Sequence, residues 1–381
     1  MMNEQAFFLE LLQKMVSIPS VSGDEENLAL FLVDFLRQEL QMEVELVQVK
    51  AKQYNLIARK KGDRTGGKKL LLGGHIDTVD AGGNWSHDPF ALSVEGTRAY
   101  GRGTCDMKGG LAAQITVLKR LQEDNIEFCG EIELLCVCDE EQLSLGANHY
   151  VKQAASQRKA DFAIFAEPHF DNLIVGAAGK TLLEIEIEGK TGHAAEPANG
   201  INAVDCMATW ITEVNQKYSS LYKKGVCGSH CFLRAYSQYS GYSLNIPDKS
   251  YALLNKHLDV QEQEDVFLAD LEDLYKVKVG VGHIRIRQAL PHYPSYRLDL
   301  NNEDYQTLYH LIRDTHGLDV EERIGKGVTD GNVIYPGLGI PIVMFGPKGV
   351  NLHQPDEYLE LDSVWIYIDI LHDFIKKFFA V

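Results

Sequence analysis

Apolar residues recur along this chain with two different periods, and the change from one to the other predicts its elements. Leu28, Phe31, Leu32, Phe35 and Leu36 repeat at helical spacing, as does a helix whose apolar face is buried. That helix is predicted to begin at Ser22, with Glu25 in capping-box spacing. An earlier helix, carrying Phe7, Phe8, Leu9, Leu11 and Leu12, leads to the Ser17-Ile18-Pro19-Ser20 break. Short apolar runs bounded by turn residues at 71–79, 132–138, 162–166 and 340–345 predict buried strands, and 111–121 is a helical pattern.

Strands and helices alternate in this way to about residue 178, which reads as an α/β fold. From Lys180 the texture differs: residues 182–187 alternate apolar and acidic, as a strand with one wet face does. A helical stretch at 201–218 and strand-like pieces around 231–237, 250–258 and 278–286 follow. There is no internal repeat. A chain of 381 residues exceeds one typical core and predicts two domains.

Composition narrows the classes without choosing one. Hydrophobic residues at 45% and charged residues at 24% are ordinary for a soluble globular protein. A net charge of −17 argues against nucleic acid and anionic membrane as partners. Seven cysteines without a regular framework suggest a reducing compartment, and the acidic, unbasic N-terminal stretch does not read as a signal peptide. Cytoplasmic residence is the expectation. Cys227, His230 and Cys231 could form a metal site, but ordinary thiols account for them more simply.

The chemistry lies at the strand ends. His75 and Asp77 stand two apart after the run at 71–72, so their side chains share a face. A histidine that binds metal through one ring nitrogen needs an acceptor at the other, and Asp77 can be that acceptor. A strand-end histidine merely satisfied by its neighbour reads equally well. Asp106 sits in a glycine-rich turn before the helical pattern at 111–121, where it could bridge two cations or simply cap the helix. Asp139, Glu140 and Glu141 follow a buried strand; solvation or bound cations would relieve their repulsion. Glu167 follows the run at 162–166, and His353 lies behind the run at 340–345. Such residues at one sheet edge are how α/β proteins build sites.

The segments GGHIDTVD (73–80), WSHDPF (85–90), YGRGTCDMKGG (100–110), CDEEQLSLGA (138–147), FAEP (165–168), GKTGHAAEP with GINAV (189–204) and FGPKGVNLHQPDE (345–357) occur in that order. Together they resemble the dinuclear zinc amidohydrolase and peptidase family of acetylornithine deacetylase, succinyl-diaminopimelate desuccinylase, aminoacylase and glutamate carboxypeptidase. The similarity is greatest to the acetylornithine deacetylases.

The resemblance implies that His75 and Glu167 hold one metal and Glu141 and His353 the other, with Asp106 bridging and the Asp106–Met107 bond cis. It implies two zinc ions, with cobalt or manganese as possible substitutes. It makes Asp77 a catalytic residue beside His75. Glu140 becomes the general base toward a water between the cations, and His193 the donor to the oxyanion. In dimeric relatives that histidine comes from the partner subunit, so a homodimer is expected. The resemblance also implies a discontinuous catalytic domain, residues 1–178 and 289–381, with a mixed sheet flanked by helices. Residues 179–288 would be a smaller inserted α+β lid and dimerisation domain, with hinges near 179 and 289.

The implied reaction is hydrolysis of the amide bond in an N-acyl amino acid. A dipeptidase or carboxypeptidase of the same family is the alternative, with a dipeptide as the small-molecule partner; a non-catalytic homologue is a third reading. Asn245 in Asn245-Ile246-Pro247, then His257 where relatives carry a carboxylate-binding arginine, are the substrate candidates in the insert. Lys180, Lys256 and Arg287 could supply the missing charge, though each also reads as a solvated surface residue. The loop with Thr329, Asp330 and Gly331 resembles one beside the substrate in desuccinylases. Asn332 replaces that subgroup's arginine, which argues against a succinyl group.

Overall fold

The computed structural model describes residues 4–237 and 244–380. It divides into two compact units, one of Met1–Gly176, Arg297–Gly325 and Thr329–Val381, the other of Ala177–Tyr296 and Lys326–Val328. Among the described residues, no helix is long and apolar enough to cross a membrane.

The first unit is built on a mixed sheet with strand order Glu43–Lys50, Gln53–Lys61, Cys129–Val137, Arg64–His75, Phe162–Phe165, Ile342–Met344, Asn172–Ala177 and Tyr296–Arg297. Its centre is parallel: Arg64–His75 pairs in parallel with Cys129–Val137 and Phe162–Phe165, which pairs likewise with Ile342–Met344. The apolar runs explain this choice, because a parallel strand is covered on both faces and has no wet side. Leu70, Leu71 and Leu72 are all fully buried. Leu70 and Leu72 join one core with the helices Glu4–Ser17, Lys108–Glu123 and Leu361–Phe378. The helices Leu145–Ala154 and Gly331–Leu338 pack on one another and on strands of the sheet.

Two expectations at helix starts are corrected. The helix predicted from Ser22 runs Glu26–Glu39, with Glu25 at its N-cap making no side-chain cap bond. The Ser22 hydroxyl donates instead to Asp77 Oδ2 at 2.7 Å, and Glu25 Oε1 accepts from Gly23 N and Asp139 N. A carboxylate and an N–H group of other loops, Asp77 and Asp139 N, thus take the partners that a capping box would have used. Nor does Asp106 cap Lys108–Glu123, since Met107 holds the N-cap position. That helix starts tight against the end of the strand Phe162–Phe165: a Cβ at Gly110 would lie 2.0 Å from the Ala166 carbonyl oxygen.

The second unit is an antiparallel sheet in the order His230–Tyr236, Lys249–Leu258, Gly179–Glu188, His283–Tyr293. Leu183, Ile185 and Ile187 turn inward to pack with Trp210 of Ala203–Lys223 and Leu271 of Glu264–Lys278, while Glu184 is exposed. The strand expected from 278 starts later. Phe267, Leu271 and Tyr275 are buried at four-residue spacing and hold a helix to Lys278, and Gly280 and Gly282 then turn the chain with positive φ.

Lys256 is not a solvated cation. Its side chain is fully buried, and Nζ meets Glu262 Oε1 at 2.7 Å and Oε2 at 2.9 Å, with the Gly228 and His257 carbonyls completing its partners. Removing one member of such a pair strands the other in a poor solvent. Glu262→Ala is therefore expected to destabilise the second unit by about 3–5 kcal/mol in denaturant titration, whereas an unchanged midpoint would show that Lys256 finds water.

Candidate metal centre

The parallel strands deliver the candidate ligands to one edge of the first unit's sheet. His75 is the last residue of Arg64–His75, Glu140 and Glu141 lie just beyond Cys129–Val137, and Glu167 just beyond Phe162–Phe165. Asp106 sits in the turn before Lys108–Glu123, and the cis Asp106–Met107 bond follows it at the junction. His353 comes from the loop after Ile342–Met344, with a backbone φ of 59°, a region that non-glycine residues seldom adopt.

Asp106 faces both ways. Its Oδ1 lies 3.1 Å from His75 Nε2, and its Oδ2 lies 3.2 Å from His353 Nε2. Glu167 Oε1 approaches His75 Nε2 at 4.0 Å, and Glu141 lies 3.0 Å from His353 Nε2. Two groups of side chains that could hold a metal ion result, His75 with Asp106 and Glu167, and Asp106 with Glu141 and His353; the ligand atoms of each lie within 4.8 Å of one another. Imidazole and carboxylate are the donor set of catalytic zinc, and a carboxylate shared between the groups suits two ions. Among the described residues these are the groups of this kind, and Cys227, His230 and Cys231 are not in them.

The electrostatics point the same way. Burial pushes Glu141 up to about 7 and Glu167 up to about 8, with the Asp106 charge adding to each and His75 opposing. Burial likewise holds Glu140 well above the usual carboxylate range, aided by Asp330 and Glu167. Asp106 goes the other way: hydrogen bonds from His353 and His75 outweigh its burial and lower it. Its hydrogen bond raises His353 to about 9. Burial lowers His75, but Asp106, Asp77 and Glu167 together raise it well above its ordinary value. Without cations this pocket retains protons on groups that would be ligands.

Asp77 is placed differently from the expectation. The acceptor nearest His75 Nδ1 is the Asp77 backbone carbonyl at 2.9 Å, and the carboxylate is 3.6 Å away. The carboxylate instead accepts from Glu140 N at 3.1 Å and Glu141 N at 3.2 Å. Asp139, first of the three adjacent acids, turns away and accepts from Gln53 Nε2 at 3.0 Å.

Sequence reasoning gave no role to Glu357. It is fully buried, accepts Arg102 Nη1 at 2.5 Å, and receives the backbone N–H groups of Gly103, Cys105 and Asp106. The turn that carries Asp106 is thus wrapped around one carboxylate. Asp356, its neighbour, holds Ser86 and His87, and His87 stacks on Tyr100 at 4.1 Å. The WSHDPF and HQPDE segments therefore buttress the YGRGTCD turn. The charge of Arg102 was the available signal, since a guanidinium that becomes buried requires an acid as its partner.

The remaining candidates lie in separate places. Asp330 is buried in the first unit, and burial pushes it up to about 7; Thr329 and Gly331 adjoin it, and Asn332 Oδ1 accepts from Thr329 N. In the second unit, exposed His193 forms an antiparallel bridge with Asn245, and His257 lies opposite Lys180 in the strand register. Burial lowers His257, with Lys180 adding to the effect.

A family model described as peptidase family M20/M25/M40 matches residues 71–377. An acetylornithine deacetylase from Yersinia pestis is 28% identical over 381 residues, covering 93% of each chain. A tripeptidase structure from Staphylococcus aureus aligns with a TM-score of 0.76 at 22% identity over 100% of both chains. A dinuclear metal-binding peptidase from Bacillus subtilis aligns with a TM-score of 0.75 at 17% identity over 98% of both.

The raised values set the sign of a pH effect. Glu141 and Glu167 ordinarily titrate near 4.5, so the stability that their protons give the metal-free fold is complete below that pH. It is lost as pH rises through about 7 to 8, and the His353 proton follows near 9. Cations replace those protons. The rise in Tm on zinc loading of chelator-treated protein is thus expected to be larger at pH 8 than at pH 6; equal rises would contradict this.

Proposed function

The chain belongs to peptidase family M20/M25/M40 and is a metal-dependent hydrolase of amide bonds; from that premise we propose that it deacylates an N-acyl amino acid. The observation that carries the reading is Asp106, whose two oxygens face two different histidines beside the half-buried Glu140. His75 and Glu167 would hold one zinc ion, Glu141 and His353 the other, and Asp106 both. Bound there, zinc supplies Lewis-acid polarisation of the substrate carbonyl and lowers the pKa of water.

Glu140 does the proton work. It takes a proton from the attacking water and hands it to the nitrogen of the departing amine, a role that general acid/base groups fill for about 10²–10⁴-fold in rate. Its raised affinity for protons, set first by burial, suits a group that must both accept and return one near neutral pH. Glu140 and Glu141 are adjacent but serve separately, one free to move a proton and one engaged with His353.

His193 is the proposed donor to the oxyanion. Ala195 N donates to its Nδ1 at 3.1 Å, so that nitrogen is the acceptor and the ring proton sits on Nε2, free to donate. Asn245 beside it would contact substrate. Lys180 with His257 would meet the substrate carboxylate in place of an arginine fork, a geometry that is monodentate and therefore less selective. Thr329, Asp330 and Gly331 would shape the metal pocket's wall, with Asp330 acting from within. We further propose a homodimer and a cytoplasmic setting, the latter supported by seven free thiols.

The name of the 28% identical relatives favours the acyl amino acid over the dipeptide reading. Release of primary amine from zinc- or cobalt-loaded protein separates the two, using N-acetyl, N-formyl and N-succinyl amino acids beside free dipeptides. Turnover of the acetyl or formyl compounds that falls at least about 10²-fold in Glu140→Ala is expected; turnover of dipeptides alone would make it a peptidase, and none on any compound would make it a binder.

A further inference from the structure

The loop between the first two helices reaches the metal pocket from behind. Ser20 Oγ donates to the Ile76 carbonyl at 2.7 Å, Thr78 N donates to the Ser20 carbonyl, and Ser22 N donates to the Thr78 carbonyl, so the loop is laid along residues 76–78. From there Ser22 Oγ reaches Asp77 Oδ2 at 2.7 Å. Glu25 is fully buried and works through one oxygen: Oε1 accepts Asp139 N at 3.2 Å, Gly23 N at 3.1 Å and Gln53 Nε2 at 3.5 Å.

Three consecutive N–H groups therefore end on two buried carboxylates. Asp139 N is taken by Glu25, and Glu140 N and Glu141 N by Asp77, which is itself held by Ser22. Pinning these amides fixes the backbone of residues 139–141, and with it the directions in which the Glu140 and Glu141 side chains leave that backbone. Asp139 has a backbone φ of 64° and its side chain turns to Gln53 Nε2 at 3.0 Å, whereas Glu141 turns to His353.

The geometry points to Ser22 and Glu25 as positioning residues, which aim the proposed base Glu140 and the proposed ligand Glu141 by holding the amides of residues 139–141. Neither touches a reacting atom. The inference rests on the proposed function for its kinetic consequence, but its structural core does not.

The test uses the full zinc-loaded chain and four variants, Ser22→Ala, Ser22→Thr, Glu25→Ala and Glu25→Gln. Hydrogen exchange is followed at residues 139–141, with the helix Lys108–Glu123 as the internal reference for folding. In Ser22→Ala the amides of 140 and 141 are expected to exchange at least about 10-fold faster while the helix keeps its protection. Ser22→Thr keeps the hydroxyl and restores them. Glu25→Ala frees amide 139, and Glu25→Gln, which retains the accepting carbonyl, protects it even where the alanine variant folds poorly. On the substrate that the wild type turns over, Ser22→Ala lowers kcat about 10–100-fold with little change in KM, and Ser22→Thr recovers it. Exchange at 139–141 unaltered in all four variants overturns the brace. A wild type without amidase turnover instead defeats the proposed function, and the exchange result still decides the brace.

Discussion

Carboxylates that are buried together repel one another, and in this protein the sheet edge gathers Asp106, Glu140, Glu141 and Glu167 around two imidazoles with Asp330 close behind. Glu167 is buried and Asp106, Glu140 and Glu141 are half-buried, so each gains by retaining a proton or meeting a positive charge. The two histidines satisfy Asp106 and only partly relieve the rest, which is why Glu141 and Glu167 stay protonated to near or above neutrality. The two proposed cations would answer that constraint, and much of the first unit can be understood as scaffolding that keeps the acids together in spite of it.

The scaffolding works through the backbone. Parallel pairing fixes where His75, Val137 and Phe165 end, and hence where the loops after them begin. Glu357 then gathers three N–H groups of the Asp106 turn, and Asp77 gathers those of Glu140 and Glu141. Both organising carboxylates are fully buried, and both are balanced by donors rather than by metal: Arg102 for Glu357, Ser22 and the amides for Asp77. Around the site, the acids that hold backbone are thus distinct from those that the proposed cations would engage.

What could be read from the sequence follows the same division. The positions of His75, Glu141 and Glu167 at or beyond strand ends were legible because apolar runs mark strands, and those of Asp106 and His353 because motif order marks the family. The α/β class and the wet-faced sheet of the insert were legible for the same reason. Groups whose partners lie far away in sequence were not. Ser22 and Glu25 match a capping box locally, yet their partners are about 55 and 114 residues away. Lys256 looks like a surface lysine until Glu262 folds over it. The helix Glu264–Lys278 was missed although Phe267, Leu271 and Tyr275 carry its period, since charged residues between them dilute the pattern.

The proposed chemistry turns on Asp106 being shared between two cations. Anomalous diffraction at the zinc absorption edge from zinc-loaded crystals tests it most directly. Two peaks are predicted, one within coordinating distance of His75, Glu167 and Asp106 and the other of His353, Glu141 and Asp106. A single peak at full occupancy, or zinc bound away from Asp106, would contradict it.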